Sequence, residues 1–306
     1  MRYSVIIPTR DRRELLAGTL ESVFAQMHQP AEIIVADDGS SDGTVEFIKS
    51  LDDRVRLVQP RRRGPGAARN AGAAEATGDY LAFLDSDDLW LPWSLSAFAE
   101  TVERYAGPAL VCGCFRQFVH QDELAGCREM PVEDDSYADY LSVWPRQPIV
   151  GASMMVVRRE EFLRVGGFVE DPVNLEDHDL SLKLGTARGF VQLRQPVTLG
   201  WRLHAGGITR DVEKSVAGCR LLVATEKAAG YPGGAQRSQV RRGIIAGHAR
   251  SVSLECLRVG QVSSAWRVYR DLLPWHVSLG RWKYLGAFPA YAVAAMLRAR
   301  RAGSAH

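Results

Sequence analysis

The stretch "FLDSDDLW" (83–90) sets three aspartates, Asp85, Asp87 and Asp88, within four positions, directly after the apolar run "YLAFL". Carboxylates this close repel one another, and the half-buried end of a strand sharpens the repulsion. A hard divalent cation would relieve it. Mg²⁺ and Mn²⁺ take oxygen ligands, use one or two protein carboxylates and complete their shells with water and substrate phosphates. A turn of solvated aspartates is the plainer alternative, since Asp and Ser both favour turns. A second acidic cluster, "DDGSSDGT", imitates the opening of an EF-hand loop through Asp38, Ser40, Asp42 and Gly43. Its twelfth position is Lys49 instead of glutamate and its flanks read strand-to-helix, so that chemistry is excluded. Two readings stay open for it: a turn capping the next helix, or Asp38 accepting hydrogen bonds from a nucleotide's base or ribose.

The elements that must position these acids alternate strand and helix. "YSVII" (3–7), "EIIVA" (32–36), "VRLV" (55–58) and "YLAFL" (80–84) are apolar, β-rich runs. Between them Leu16, Leu20, Val23 and Met27 recur at helical spacing, as do Val45, Ile48 and Leu51. "AARNAGAAEA" reads as an alanine-rich helix whose small side chains would let it lie close to a sheet. Such alternation implies α/β architecture, a mostly parallel sheet flanked by helices. Ligands of open α/β sheets bind outside the carboxyl ends of strands. "PTRD", "DDGS" and "DSDD" all lie at such ends. Further on, Leu95, Phe98, Val102 and Tyr105 mark a helix. "ALVCGCF", "IVGASMMVV", "VQLR" and "VTLGWRL" read as strands, and "EDHDLSLKLGTARG" as a helix with an acidic start that suits the helix dipole. No G-x-G-x-x-G follows the first strand, so a dinucleotide site is unsupported. "GPGAARN" could lay Arg69 against phosphate at a helix start, or leave it in solvent.

The chain's 306 residues, 46% hydrophobic, suffice for one large domain or two modest ones with a sizeable core. No apolar run reaches membrane-span length, and the N-terminus reads as a strand rather than a signal peptide. Five irregularly spaced cysteines suggest reduced thiols and a cytoplasmic location, with the "CGC" pair as buried strand residues rather than metal ligands. Net charge is +2, but residues 211–306 carry 15 Lys+Arg against 5 Asp+Glu, while residues 1–210 carry 23 against 31. The asymmetry suggests two segments, 1–210 and 211–306.

"SVIIPTRDR", "EIIVADDGSSDGT", "GPGAARNAG", "GDYLAFLDSDDLW", "VGGF" and "LEDHDLSLKL" occur in the order found in family 2 glycosyltransferases, and the chain resembles these inverting GT-A fold enzymes over roughly residues 3–210. The resemblance implies a nucleotide-sugar donor, usually UDP-linked, a divalent cation (Mg²⁺ or Mn²⁺), and a saccharide or lipid-linked saccharide acceptor. It places Pro8, Thr9 and Asp11 along the nucleotide pocket, Asp38 at the uracil or ribose, and Arg69 near phosphate. It makes Asp85 and Asp87 the D-x-D motif, with Asp87 the direct metal ligand and Asp88 sharing that role. Asp177 would be the catalytic base with Glu176 beside it, and His204 in "WRLHAGGIT" would lie near the diphosphate or metal. Arg10 stands where the family often has tyrosine or asparagine. His178, between acids, is expected at the surface.

The segment after residue 210 matches no motif. "GHARSVSLECLRVGQVSSAWRVYRDLL" reads as two helices broken near Gly260, with Leu254, Leu257, Trp266, Val268 and Leu272 as packing residues. "RWKYLGAFPAYAVAAMLRARR" (281–301) joins an aromatic-rich apolar stretch to a cationic end. It fits either a helical extension with solvated arginines or a peripheral contact with the inner face of a membrane. The basic residues are spread along helices without a recognition motif, which argues against nucleic acid. Two other functions compete with glycosyl transfer. A sugar nucleotidyltransferase would need a glycine-rich loop after the first strand, and "IIPTRDRR" has none. A non-catalytic glycan-binding scaffold should have lost acids, yet Asp85, Asp87 and Asp177 are present.

Overall fold

The computed structural model describes residues 1–51, 53–146, 148–204 and 211–303, with side chains as far as residue 298. The "GGIT" part of the histidine motif and the side chains of Arg300 and Arg301 lie outside the described residues. Two units are distinguished: Met1–Ser142 with Pro148–Pro172 and Glu176–Ala205, and Gly206–His306 with the short segments Val143–Gln147 and Val173–Leu175.

The first unit runs β1 (Tyr3–Thr9), α1 (Arg13–Phe24), β2 (Glu32–Asp37), α2 (Thr44–Lys49), β3 (Val55–Val58), α3 (Pro65–Glu75), β4 (Tyr80–Phe83), β5 (Leu89–Trp90), α4 (Ser94–Arg104), β6 (Leu110–Cys112), β7 (Phe115–Phe118), β8 (Glu133–Tyr137), β9 (Met155–Arg158), α5 (Arg159–Arg164), α6 (Glu176–Lys183), β10 (Phe190–Gln195) and β11 (Leu199–Arg202). Eight strands form one sheet in the order β3-β2-β1-β4-β9-β6-β10-β8, and β5-β11-β7 form a second. The continuous apolar run of β1 fits its place: it is buried along its whole length, between parallel β2 and β4. β9 enters antiparallel between β4 and β6, and β8 closes the edge antiparallel to β10. The architecture is the GT-A-like mixed α/β arrangement that the motifs imply.

Two expected elements are shorter than their patterns. α1 stops at Phe24, and Met27, expected on its apolar face, is 61% exposed. The Met27 amide donates to the Pro92 carbonyl at 2.8 Å, and the Gln26 side chain bonds both Leu91 and Leu95. Tertiary partners here replace the helical ones. "IVGASMMVV" is a strand only from Met155, because Ala152–Met154 form a 3₁₀ turn that presents the Ser153 hydroxyl to the Asp85 amide at 3.0 Å.

α3 lies close to the sheet because its inner face is nearly bare: Gly66, Ala67, Ala68, Gly72 and Ala73 are buried with Arg69. A Cβ at Gly72 would stand 2.7 Å from Ile6 Cγ2 on β1, and one at Gly66 would stand 2.1 Å from the Val169 carbonyl oxygen.

The second unit holds α7 (Val212–Lys227), α8 (Ser238–Arg258), α9 (Val262–Ser278) and α10 (Trp282–Gly303). Asp211 caps α7 by accepting from the Lys214 amide. A buried Arg241–Glu226 pair at 2.5 Å joins α7 to α8, a geometry that specifies the pairing more than it stabilises it. α8 and α9 break at Gly260, φ +82°, where the sequence places the break. Leu257, Val268 and Leu272 are buried as expected, and Trp266 packs edge-on against Phe288. Among the described residues no helix is long and apolar enough to cross a membrane.

Gly66→Ala tests the close approach of α3. Helix propensity alone would favour alanine by about 1 kcal/mol. The opposing contact is a backbone carbonyl that cannot rotate away, so a net loss of roughly 1–3 kcal/mol is expected, read as a lower urea midpoint.

Candidate active site

Three consecutive strands, β2, β1 and β4, end on one edge of the large sheet, and each end carries polar side chains. Thr9 closes β1 opposite Asp37 of β2, and Asp38 follows. Asp37 is buried and turns the chain by accepting the Gly39 and Ser40 amides, each at 3.1 Å. Asp38 is also buried. One of its carboxylate oxygens accepts the Gly64 amide at 3.0 Å, while Oδ1 has no hydrogen-bond partner among the described residues. The buried Thr9 hydroxyl is likewise without one. Buried polar atoms are nearly always paired, so two orphans on adjacent strand ends mark a place built for a polar ligand.

Asp11, expected along the same pocket, is exposed, with a left-handed φ of 48° that aspartate tolerates. It accepts the Ser41 amide at 2.7 Å, and Asp42 accepts the Arg13 amide at 3.0 Å. The loops after β1 and β2 are thereby tied together. Asp42 also accepts from the Thr44 hydroxyl and amide at the start of α2, so the capping turn offered as the plain alternative does exist. Pro8 is a buried residue of β1 itself.

The D-x-D acids form a true cluster: ligand oxygens of Asp85, Asp87 and Asp88 lie within 4.8 Å of one another. That oxygen-only donor set fits a hard divalent cation. Each acid is also held by a different part of the fold. Asp85 accepts from Arg69 Nη2 at 2.6 Å. Asp87 Oδ2 is shared by Arg12 Nη1 at 2.6 Å and His204 Nε2 at 2.9 Å. Asp88 is 3% exposed and accepts the Arg202 amide at 3.0 Å. Burial lifts its pKa well above the usual carboxylate range, and Asp85 and Asp87 add to the shift. Arg202 also donates its Nε to the Asp87 carbonyl at 2.8 Å. The small sheet, in which β11 pairs with β5, therefore clamps the far side of the motif.

Arg69 is 3% exposed, so the solvated setting does not describe it. Its two guanidinium arms reach Asp85 and, at 2.9 Å, Glu176. Burial works against its charge, but Asp85 and then Glu176 outweigh it and push the pKa up. Through this one side chain the acids of "DSDD" and "EDHD" meet.

"EDHD" opens α6, so the acidic helix start is real and the same residues also belong to the site. Asp177 accepts the His178 amide at 2.7 Å. Burial raises the Asp177 pKa to about 6; the His178 amide and Arg69 oppose the shift, and Asp85 reinforces it. Burial also raises Glu176, against Arg69. His178 is half-buried rather than at the surface, and burial draws its pKa down to about 4.

Of the expected residues, the structure gathers Asp85, Asp87, Asp88, Arg69, Glu176, Asp177 and His204 around one carboxylate network. Thr9 and Asp38 sit on the neighbouring strand ends, and Asp11 stands outside on the loop. Arg12, Ser153 and Arg202 escape the sequence reading. Arg12 is one of three arginines within four positions, and nothing in the spacing separates it from Arg10 or Arg13.

The family model of Glycosyl transferase family 2 matches residues 4–164. A glycosyltransferase of Nostoc sp. is 38% identical over 107 residues, 34% of this chain and 33% of that protein. The GalNAc(5)-diNAcBac-PP-undecaprenol beta-1,3-glucosyltransferase of Campylobacter jejuni is 39% identical over 111 residues, 34% of this chain and 36% of that protein. The match thus spans only about a third of each of these two relatives. Amylovoran biosynthesis glycosyltransferase AmsB of Erwinia amylovora is 29% identical over 64% of this chain and 68% of its own. Among solved structures, S. aureus TarS 1–349 in complex with UDP-GlcNAc superposes with a TM-score of 0.68 at 17% identity, covering 90% of this chain and 81% of that one. The mannosyltransferase PcManGT of Pyrobaculum calidifontis, in complex with GDP-Man and Mn2+, gives 0.58 at 20% identity over 97% and 86%. With the strand-end acids in this arrangement and the family model spanning half of its length, the chain belongs to Glycosyl transferase family 2 and has a GT-A-like fold.

Proposed function

We propose that this chain is a metal-dependent, inverting glycosyltransferase that moves a sugar from a UDP-sugar to a hydroxyl of a saccharide or lipid-linked saccharide. The observation that carries the reading is the Arg69 bridge. It joins an acidic cluster that could hold a cation to Glu176, whose neighbour Asp177 has its pKa raised by burial. The fold shared with proteins that bind UDP-GlcNAc, or GDP-Man with Mn2+, supports the donor class.

In this reading Asp38 Oδ1 and Thr9 Oγ1 receive the nucleoside, with Pro8 beneath it and Asp11 holding the two loops in register. Asp85 and Asp87 would hold Mg²⁺ or Mn²⁺, Asp87 foremost, with Asp88 sharing that role. When bound, the cation neutralises charge developing on the leaving diphosphate. Arg12, already at Asp87, adds positive charge on the same side, and the His204 ring adds a polar contact to the same carboxylate. Arg69 is a positioning residue that keeps Glu176 and Asp177 beside the cluster. Asp177 takes the proton of the acceptor hydroxyl as its oxygen attacks the anomeric carbon. The bond to the diphosphate breaks on the opposite face, which inverts the centre. By analogy with glycoside hydrolysis the transition state is oxocarbenium-like. Five free cysteines suit a reducing, cytoplasmic setting.

Three outcomes test the reading. Asp87→Ala should weaken Mn²⁺-dependent UDP binding about tenfold or more in calorimetry, while metal-free binding changes little. Asp177→Asn should bind donor normally yet lose about 10²–10⁴-fold in transfer, and near-normal turnover would remove Asp177 from the base role. Because a base must be deprotonated and Asp177 titrates at about 6, kcat/KM should fall tenfold per pH unit on the acid side of that value. A profile flat through that range would contradict the assignment.

A further inference from the structure

A second concentration of like charge lies in the helical unit, opposite in sign to the first. From residue 272 onward the chain has no Asp or Glu but carries Arg281, Lys283, Arg298, Arg300 and Arg301. α8 and α10 enclose a groove of about 370 Å³. Arg250 and Arg258 line it from α8, Lys283 and Arg298 from α10, and its lining contains no acid. Arg258 also reaches Glu255 at 2.9 Å, but an exposed pair of this kind is worth little. Tyr284 and the buried Phe288 form an aromatic floor, with the Tyr284 hydroxyl fixed at 2.7 Å from Ser253 Oγ. Arg281 adds to the positive charge near Arg250. Burial lowers the pKa of Arg281, and neighbouring Arg250 lowers it further.

α10 also presents an apolar stripe beside its cationic one. Trp282, Val293 and Leu297 fall on one face at helical spacing and are 64%, 55% and 53% exposed. Lys283, Tyr291 and Arg298 follow the same spacing on the adjoining face. Exposed apolar surface edged by cations mismatches water, and nucleic acid would leave the apolar half unsatisfied. A second copy would bring the same positive charge. A bilayer of anionic lipid satisfies both halves, with acyl boundary for the stripe and phosphates for the cations.

We propose that the α8–α10 groove binds the phosphate of an anionic phospholipid headgroup while the Trp282–Val293–Leu297 face of α10 lies in the bilayer interface. The site uses none of the residues assigned to sugar transfer, so UDP binding measured on the same preparation separates its failure from failure of the transferase reading.

The test is co-sedimentation of the full chain with phosphatidylcholine vesicles, with and without phosphatidylglycerol. Binding should require phosphatidylglycerol and decline as NaCl rises to about 0.5 M. The double variant Lys283→Glu/Arg298→Glu, both exposed positions, should lose roughly tenfold or more in vesicle affinity. Trp282→Ser/Val293→Ser should also weaken binding, with helical circular dichroism unchanged. If the double charge reversal misfolds, Lys283→Gln with the salt series serves instead and should shift binding in the same direction. Equal binding to neutral vesicles, salt-insensitive binding, or full binding by folded charge variants would overturn the proposal. So would saturable binding of inorganic phosphate or polyglutamate by a chain that ignores phosphatidylglycerol vesicles, which would identify a free anion or an acidic protein as the occupant.

Discussion

Arg69 lies almost wholly out of water with one arm on Asp85 and the other on Glu176. Around it stand more acids, Asp87, Asp88 and Asp177, than a half-buried sheet edge tolerates without positive charge. A buried ion pair of this kind adds little net stability, because desolvation offsets most of the attraction. Removing the guanidinium would nonetheless leave several carboxylates confined together, which is costly. What Arg69 contributes is arrangement: it fixes where the "DSDD" and "EDHD" segments meet. Its reach depends in turn on the bare face of α3. With ordinary side chains at Gly66 and Gly72, the helix could not approach Ile6 and Val169 as closely as it does.

The rest of the site follows from the sheet. Parallel β2, β1 and β4 deliver their carboxyl ends side by side, so residues distant in sequence become neighbours without any long excursion of backbone. The short β5 then leaves the D-x-D motif and pairs with β11. The chain around Asp87 and Asp88 is held at both ends, by the main sheet before it and by Arg202 and His204 of the small sheet region after it. Rigid support on two sides suits a constellation that must keep its geometry while charge is redistributed.

Much of this was legible in the residues. Continuous apolar runs located β1 to β4, the turn-forming acids located the strand ends, and the alanine-rich stretch announced a helix pressed against the sheet. Pattern failed where partners came from far along the chain. Met27 continued a helical period that Gln26 and Pro92 interrupt. "GASM" looked like strand, yet it turns to bring Ser153 under Asp85. Arg12 and Arg202 carry no local mark, because an arginine's role is set by which carboxylate it meets and not by its own neighbours. His178 looked like a surface residue among acids, although its place in the first turn of α6 leaves it half-buried.

Thr9 and Asp38 differ from every other polar group at this edge in keeping a buried oxygen uncommitted. A buried polar atom without a partner is expensive only until something supplies one, and the difference is felt by whatever settles there. A molecule of the right outline with neither a donor for Asp38 nor a polar group for the Thr9 hydroxyl would strand these atoms permanently. Sites of this construction turn away such look-alikes by roughly 10⁴–10⁵-fold, far beyond what shape alone achieves. Discrimination here would thus be written in two atoms whose bonds are left for the guest to complete.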